Sequence, residues 1–212
     1  MLVKNVMTKN PVTISPESSI TEAKALMTKK NIGKLPVIDK NNNLVGIITK
    51  KDLAKAAPSE ATTLDMFEIG YLLSKIKVEK IMTKKVVSVS ESEVVENAAK
   101  LMVDNGIGCV PVMNGDCLVG IITESDLFQL FTDMFGSREA GVRFILTLDD
   151  TPGQLAKLVN EIAKENGNLV SLVTRELKEA GKRRLTVKVA GITESQLKEI
   201  LARLNIVADD IR

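Results

Sequence analysis

The chain has 212 residues, 44% of them apolar, which is enough for two or three small cores, and 29 basic against 27 acidic residues leave a net charge of only +2. The charges are mixed along the length, so no polybasic face is offered to nucleic acid or to an anionic membrane. With no histidine, the commonest general base near neutral pH is missing, and Cys109 and Cys117 alone build neither a disulfide framework nor a metal site.

Residues 1–7 contain no long apolar core ahead of a cleavage site, and residues 44–48 are too few to cross a bilayer, so a cytoplasmic protein is expected. From residue 7 the chain repeats itself. Met7-Thr8-Lys9 recurs as Met82-Thr83-Lys84, Val12-Thr13-Ile14-Ser15 as Val87-Ser88-Val89-Ser90, and Ile32-Gly33 with Pro36-Val37 as Ile107-Gly108 with Pro111-Val112. After a one-residue gap, residues 44–53 and 118–127 differ only at Lys50/Glu124 and Lys51/Ser125.

Each repeat reads strand, helix, strand, strand, helix. Residues 12–14 alternate as a strand; Ile20, Ala23, Leu26 and Met27 recur at helical spacing behind a Ser19/Glu22 capping box, and Gly33 stands where that helix should close. Residues 35–38 and 44–48 are β-rich runs joined by the polar link 40–43, replaced by Gly115 and Asp116 in the second copy, and a helix begins at Thr49 or Thr123. One such unit is too small to bury both faces of a three-stranded sheet, so the copies are expected to pack about a pseudo-twofold axis.

Gly46-Ile47-Ile48-Thr49-Lys50-Lys51-Asp52-Leu53 and Gly120-Ile121-Ile122-Thr123-Glu124-Ser125-Asp126-Leu127 resemble the CBS (cystathionine β-synthase) domain, in two copies over about residues 1 to 134. The resemblance implies a disc-shaped Bateman module with clefts for adenosine-containing ligands. It also implies that Asp52 and Asp126 bond ribose hydroxyls while Thr49 and Thr123 hold phosphate or ribose oxygen. Adenine would then meet backbone near Val12-Thr13 and Val87-Ser88 and aliphatic side chains near Ile32 and Ile107, with Pro36 and Pro111 completing the predicted nucleotide site.

A carboxylate can accept both hydroxyls of a cis-diol, and a helix start after Thr49 would offer N–H groups to phosphate. Thr-x-x-Asp is equally a helix cap that needs no ligand. Lys34, Lys50 and Lys51 in the first copy face Cys109, Glu124 and Ser125 in the second, so phosphate is expected on the lysine-bearing side, unless these are simply solvated charges. The sequence leaves open which strand accompanies which aspartate.

Repeat 1 is assigned to residues 1–57 and repeat 2 to 76–135. Between them, Ala57-Pro58-Ser59 breaks the chain, and Leu64, Phe67, Tyr71 and Leu72 share one face of a connecting helix over 58–75. Phe128, Phe131 and Phe135 form a second apolar stripe, read as dimer or interdomain packing surface.

Residues 136–141 read as a linker to a domain over 142–212. Phe144, Leu146 and Leu148 alternate as a strand, and Leu155, Leu158, Val159 and Ile162 mark a helix closed by Gly167. Strands over 169–174 and 185–189 flank the Ala180-Gly181 turn, Thr193 and Gln196 cap a second helix, and 206–211 supply a last strand. The order βαββαβ is that of a ferredoxin-like sandwich. Leu148-Asp149-Asp150-Thr151-Pro152-Gly153-Gln154-Leu155, with Gly167-Asn168-Leu169, resembles the ACT domain, which implies an amino acid bound where two such domains pair. Asp149, Asp150, Pro152, Gly153 and Asn168 are the predicted contacts; a Pro-Gly turn capping the helix is the alternative.

A CBS pair followed by an ACT domain, together with Ala56-Ala57-Pro58-Ser59 and Tyr71-Leu72-Leu73-Ser74-Lys75-Ile76, is similar to the bacterial acetoin-utilisation AcuB-like family. An α/β (α+β) homodimeric regulator is therefore predicted, with no catalytic residues and no catalytic cofactor. An adenine nucleotide (AMP, ADP or ATP), or else S-adenosylmethionine or NAD, is its regulatory ligand. An amino acid binds the C-terminal pair, and a regulated protein partner reads the occupancy. The alternatives are a ligand-free interaction scaffold and an enzyme of acetoin or acyl metabolism. The latter lacks a nucleophile–base pair, a glycine-rich phosphate loop or a metal cluster.

Overall fold

The computed structural model describes residues 1–56, 65–178 and 181–212, in two compact units, Met1–Leu127 and Phe128–Arg212. The predicted break at Ala57-Pro58-Ser59, the helix position Leu64 and the turn residue Ala180 lie outside the described residues.

In the first unit a 3-10 turn, Val3–Asn5, leads into β1 (Thr8–Lys9), α1 (Ile20–Lys29), β2 (Lys34–Ile38), β3 (Leu44–Thr49) and α2 (Lys50–Ala56). After α3 (Met66–Lys75) and α4 (Val78–Ile81) come β4 (Val89–Ser90), α5 (Val95–Asn105), β5 (Cys109–Asn114), β6 (Cys117–Thr123) and α6 (Glu124–Met134), whose residues from Phe128 onward belong to the second unit.

The predicted capping box opens α1: the Glu22 N–H donates to Ser19 Oγ at 3.2 Å and the Ser19 N–H donates to Glu22 Oε2 at 2.8 Å. α1 buries Ile20, Ala23 and Met27, one turn apart, and Ala23 and Met27 pack in one cluster with Leu35, Val37 and Ile48 of the β2–β3 hairpin. Burying a side chain of that size contributes about 1.5–3 kcal/mol.

Two local expectations are corrected. The left-handed residue after α1 is Asn31 (φ 50°), not Gly33; only in repeat 2 does a glycine, Gly106 (φ 62°), close the helix. The predicted strand 12–14 shrinks to one parallel bridge, Ile14 to Val37, because Pro11 and Pro16 on either side have no N–H to give a ladder. Repeat 2 has no proline there, and the short strand β4 pairs with β5 in parallel.

The expected pseudo-twofold takes the form of exchanged strands. β1 of repeat 1 runs antiparallel to β6 of repeat 2, with Thr8 opposite Ile121, and Thr83 of repeat 2 bridges Ile47 in β3 of repeat 1. The main sheet therefore has the order β1-β6-β5-β4. Each exchange is seated by a methionine on a glycine: the Met82 sulfur lies where a β-carbon on Gly46 would sit, and the Met7 sulfur does the same at Gly120.

The second unit contains β7 (Val142–Asp149), α7 (Gln154–Lys164), β8 (Asn168–Glu176), β9 (Lys182–Ala190), α8 (Glu194–Arg203) and β10 (Ala208–Ile211). Its antiparallel sheet has the order β10-β7-β9-β8, the ferredoxin-like βαββαβ arrangement. Alternate residues of β7, Phe144, Leu146 and Leu148, are buried in one cluster with Leu158 and Ile162 of α7 and Leu197, Ile200 and Leu201 of α8. Thr193 and Gln196 form the predicted capping box. The left-handed residue after α7 is Asn166 (φ 60°). Gly167 is held glycine by closeness to Ile162.

Candidate functional site

Each repeat turns from strand to helix at Thr-x-x-Asp. The Thr49 N–H and hydroxyl donate to Asp52 Oδ2 at 2.9 and 2.7 Å, and the Asp52 N–H returns to Thr49 Oγ1 at 3.3 Å. Thr123 and Asp126 repeat the pattern at 2.7, 2.7 and 3.4 Å. Capping thus uses one carboxylate oxygen in each repeat. The second oxygen, Oδ1, has no hydrogen-bond partner among the described residues. The cap fixes the carboxylate in place and leaves acceptor capacity for a ligand hydroxyl.

The exchanged strands decide what faces these turns. Thr83 beside Ile47 carries the chain after it, up to Val87, across repeat 1. A cleft of about 560 Å³ forms between Thr49, Lys51 and Asp52 of repeat 1 and Val87, Ile107 and Pro111 of repeat 2. Thr8 beside Ile121 makes the counterpart, about 410 Å³, between Val12 and Ile32 of repeat 1 and Thr123 and Ser125 of repeat 2. Each Thr-x-x-Asp turn is therefore accompanied by the strand of the opposite repeat.

Of the residues singled out in the sequence, the first cleft gathers Lys34, Thr49, Lys50, Asp52, Val87, Ile107 and Pro111, and the second gathers Val12, Ile32, Lys34, Thr123 and Ser125. Thr13, Pro36, Ser88 and Asp126 line neither: Pro36 is buried in β2, and Asp126 is bonded to Thr123 at the start of α6. Lys55 and Lys85 line the first cleft without having been singled out. The repeat alignment sets Lys85 against Asn10, but only strand exchange shows that it matters.

Lys34 lines both clefts, and its ammonium donates to the Gly108 carbonyl. Lys50 and Glu124 occupy equivalent places, their N–H groups bonded to the Gly33 and Gly108 carbonyls at 2.9 and 3.2 Å. Cys109 is buried at the wall of the first cleft, and that burial pushes its thiol above the usual range.

In the second unit the predicted acidic contacts are already paired. Asp149 meets Lys182 at 2.7 Å, and Asp150 takes a bidentate bond from Arg183 at 2.9 and 2.8 Å. The Arg183 guanidinium holds the Asp150 carboxyl below the usual carboxylate range. Gly153 (φ 89°) precedes α7 next to exposed Pro152, and Asn168 opens β8 opposite Ala190. A cavity in this unit is lined by residues that include Lys157, Asn160 and Glu161 and by none of these five.

Phe128, Phe131, Tyr71 and Leu72 are exposed, and Phe131 stacks on Phe135 with ring centroids 4.6 Å apart. Among the described residues no helix is long and apolar enough to cross a membrane, and no three His, Cys, Asp or Glu side chains come together to hold a metal.

A duplicated β-α-β-β-α unit with crossed clefts, followed by a ferredoxin-like sandwich, defines a tandem binding module with an appended second module. The chain belongs to the CBS-domain family: the CBS domain model matches residues 3–59 and 78–133, and a TTHA0829-like ACT domain matches 140–211.

Among curated relatives, an L-aspartate semialdehyde sulfurtransferase of Methanocaldococcus jannaschii is 37% identical over 131 residues, 61% of this chain and 23% of that protein. The match to a homoserine O-acetyltransferase of Methanococcus vannielii likewise covers 25% of that protein, so the chain spans about a quarter of the length of these relatives.

Three solved structures share the fold of the first unit. The CBS domain pair of protein MJ0100, in complex with 5′-methylthioadenosine and S-adenosyl-L-methionine, is 35% identical with a TM-score of 0.53, over 66% of this chain and 98% of that one. AcuB from Vibrio cholerae is 30% identical with a TM-score of 0.54, over 65% and 95%. CBSX2 in complex with AMP is 30% identical with a TM-score of 0.50, over 61% and 95%.

Proposed function

We propose that the chain is a regulatory sensor whose CBS pair holds an adenosine-containing ligand and passes its occupancy to a partner protein. One observation carries this reading: the first cleft sets the Thr49–Asp52 turn, with its spare carboxylate oxygen, against an aliphatic wall from the opposite repeat, and the second repeats the arrangement at Thr123. The ribose hydroxyls meet Asp52, and the base lies against Val87, Ile107 and Pro111. The complexes of MJ0100 and CBSX2 support an adenosine ligand.

Because the walls come from two repeats, a ligand bridges them and stabilises one relative placement over others. That differential affinity is what signalling requires. The exposed Phe128 and Phe131 are surface for a second copy or for the regulated partner. An amino acid at the C-terminal domain falls to Gly153 and Asn168, since an ammonium group would have to displace Lys182 from Asp149.

The test is a thermal-shift panel on the full chain with ATP, ADP, AMP, S-adenosylmethionine, NADH and single amino acids. Ligand at about a hundred times its dissociation constant adds roughly 2.7 kcal/mol of stability. A shift with an adenosine compound that Asp52→Ala plus Asp126→Ala abolishes is the expected result. No shift with any of them favours the interaction scaffold, for which the exposed aromatic stripe is the specific support.

A further inference from the structure

The two clefts are related by the repeat, but their charges are not. In repeat register Lys50 corresponds to Glu124, Lys51 to Ser125, Lys55 to Gln129 and Lys85 to Asn10. All four lysines line the first cleft, whereas the second has Ser125 and Asn10 at two of the matching places and neither Glu124 nor Gln129 in its wall. The one exchange in the other direction, Cys109 for Lys34, changes nothing, because Lys34 borders both clefts. The first cleft is therefore lined by four lysines besides Lys34, which the two clefts share. The second has Lys34 alone, already bonded to the Gly108 carbonyl. The volumes differ in the same sense, about 560 against 410 Å³.

We propose that the clefts divide their ligands by charge: the first takes a nucleoside polyphosphate and the second an adenosine derivative without phosphate. This rests on the adenosine reading above and adds which chemistry each cleft selects. A polyphosphate carries several negative charges into whichever cleft it enters, and only the first has cations beyond the shared Lys34 to meet them. Exposed lysine contacts are each worth a few-fold in affinity, and several acting on one phosphate chain multiply. They are also screened by salt, which a phosphate-free ligand does not feel.

Isothermal titration of the full chain with ATP and with 5′-methylthioadenosine separates the possibilities. The expected result is that methylthioadenosine still binds ATP-saturated protein, and that added salt weakens only ATP. Lys51→Ser with Lys85→Asn, which installs the second cleft's residues in the first, should weaken ATP by about tenfold while leaving methylthioadenosine unchanged. The reciprocal Asn10→Lys with Ser125→Lys should add a second ATP site; all four positions are exposed, so both variants are expected to fold, with some strain where lysine takes the left-handed backbone of Asn10 (φ 48°), and a melting curve checks this. One-for-one displacement of methylthioadenosine by ATP, or wild-type ATP affinity in the Lys51→Ser, Lys85→Asn variant, overturns the division by charge. Failure of both compounds to bind overturns the adenosine reading itself, and the division with it.

Discussion

Thr83 and Ile47 exchange two main-chain hydrogen bonds, 2.9 and 3.0 Å, that tie the first residues of repeat 2 to the third strand of repeat 1. Thr8 opposite Ile121 is the reciprocal tie. Neither repeat completes its own cleft, so both clefts are built jointly. Residues far from any ligand that seat these ties should matter as much as those in the walls.

Gly46→Ala and Gly120→Ala test the seating. A methyl group at either position overlaps a methionine sulfur, and overpacking of this kind costs about 1–3 kcal/mol. Gly120→Ala should cost more, because its methyl would also lie 3.1 Å from the Thr8 carbonyl, which is backbone and cannot swing aside. Met82→Ala should recover part of the loss in the Gly46→Ala background. Urea unfolding of the four proteins reads this, and wild-type stability of both glycine variants would show that the contacts are slack.

Asp52→Ala removes a cap as well as the proposed ribose contact, and should lower stability by about 1 kcal/mol with no ligand present. Asp52→Asn keeps a side-chain oxygen for the Thr49 N–H and should unfold close to wild type. Comparing ligand-free melts of the two variants separates capping from binding. Equal loss in both would mean that the charge, and not the hydrogen bond, holds the turn.

The two thiols should behave differently. Cys117 is exposed and should be alkylated readily, whereas Cys109, 6% exposed and with its thiol pushed up by burial, should react slowly near neutral pH; mass spectrometry after timed iodoacetamide labelling reads both. Burial raises this acid in the folded state, so the folded chain holds its proton to higher pH than the unfolded one. Stability therefore falls as pH rises through and above the ordinary thiol range, and Cys109→Ala should lessen that alkaline loss.

The Asp150–Arg183 pair works at the other end of the scale. Its hydrogen bonds lower the Asp150 pKa in the folded state, so the pair's contribution is present above the ordinary carboxylate value and is lost as pH falls through the lowered one. Arg183→Gln should raise the Asp150 midpoint toward that of a free carboxylate in an NMR titration. An unmoved midpoint would show that the bidentate contact is not made in solution.

The repeat, the caps at Ser19 and Thr193 and the βαββαβ order were all legible because they rest on local signals: alternation, helical spacing and cap residues three apart. The exchange of Thr8 and Thr83 was not, since a two-residue strand and a single bridge leave no periodic pattern and their partners lie far along the chain. Lys85 was overlooked for the same reason. Asp149 and Asp150 looked available in the sequence because their partners, Lys182 and Arg183, sit on β9, brought beside β7 only by the sheet.

A crystal structure of the chain with bound AMP asks most directly whether the crossed clefts recognise adenosine. The ribose hydroxyls should lie on Asp52 of repeat 1 while the base rests against Val87 and Ile107 of repeat 2. AMP held by residues of one repeat alone, or bound elsewhere with Asp52 engaging only Thr49, would contradict it.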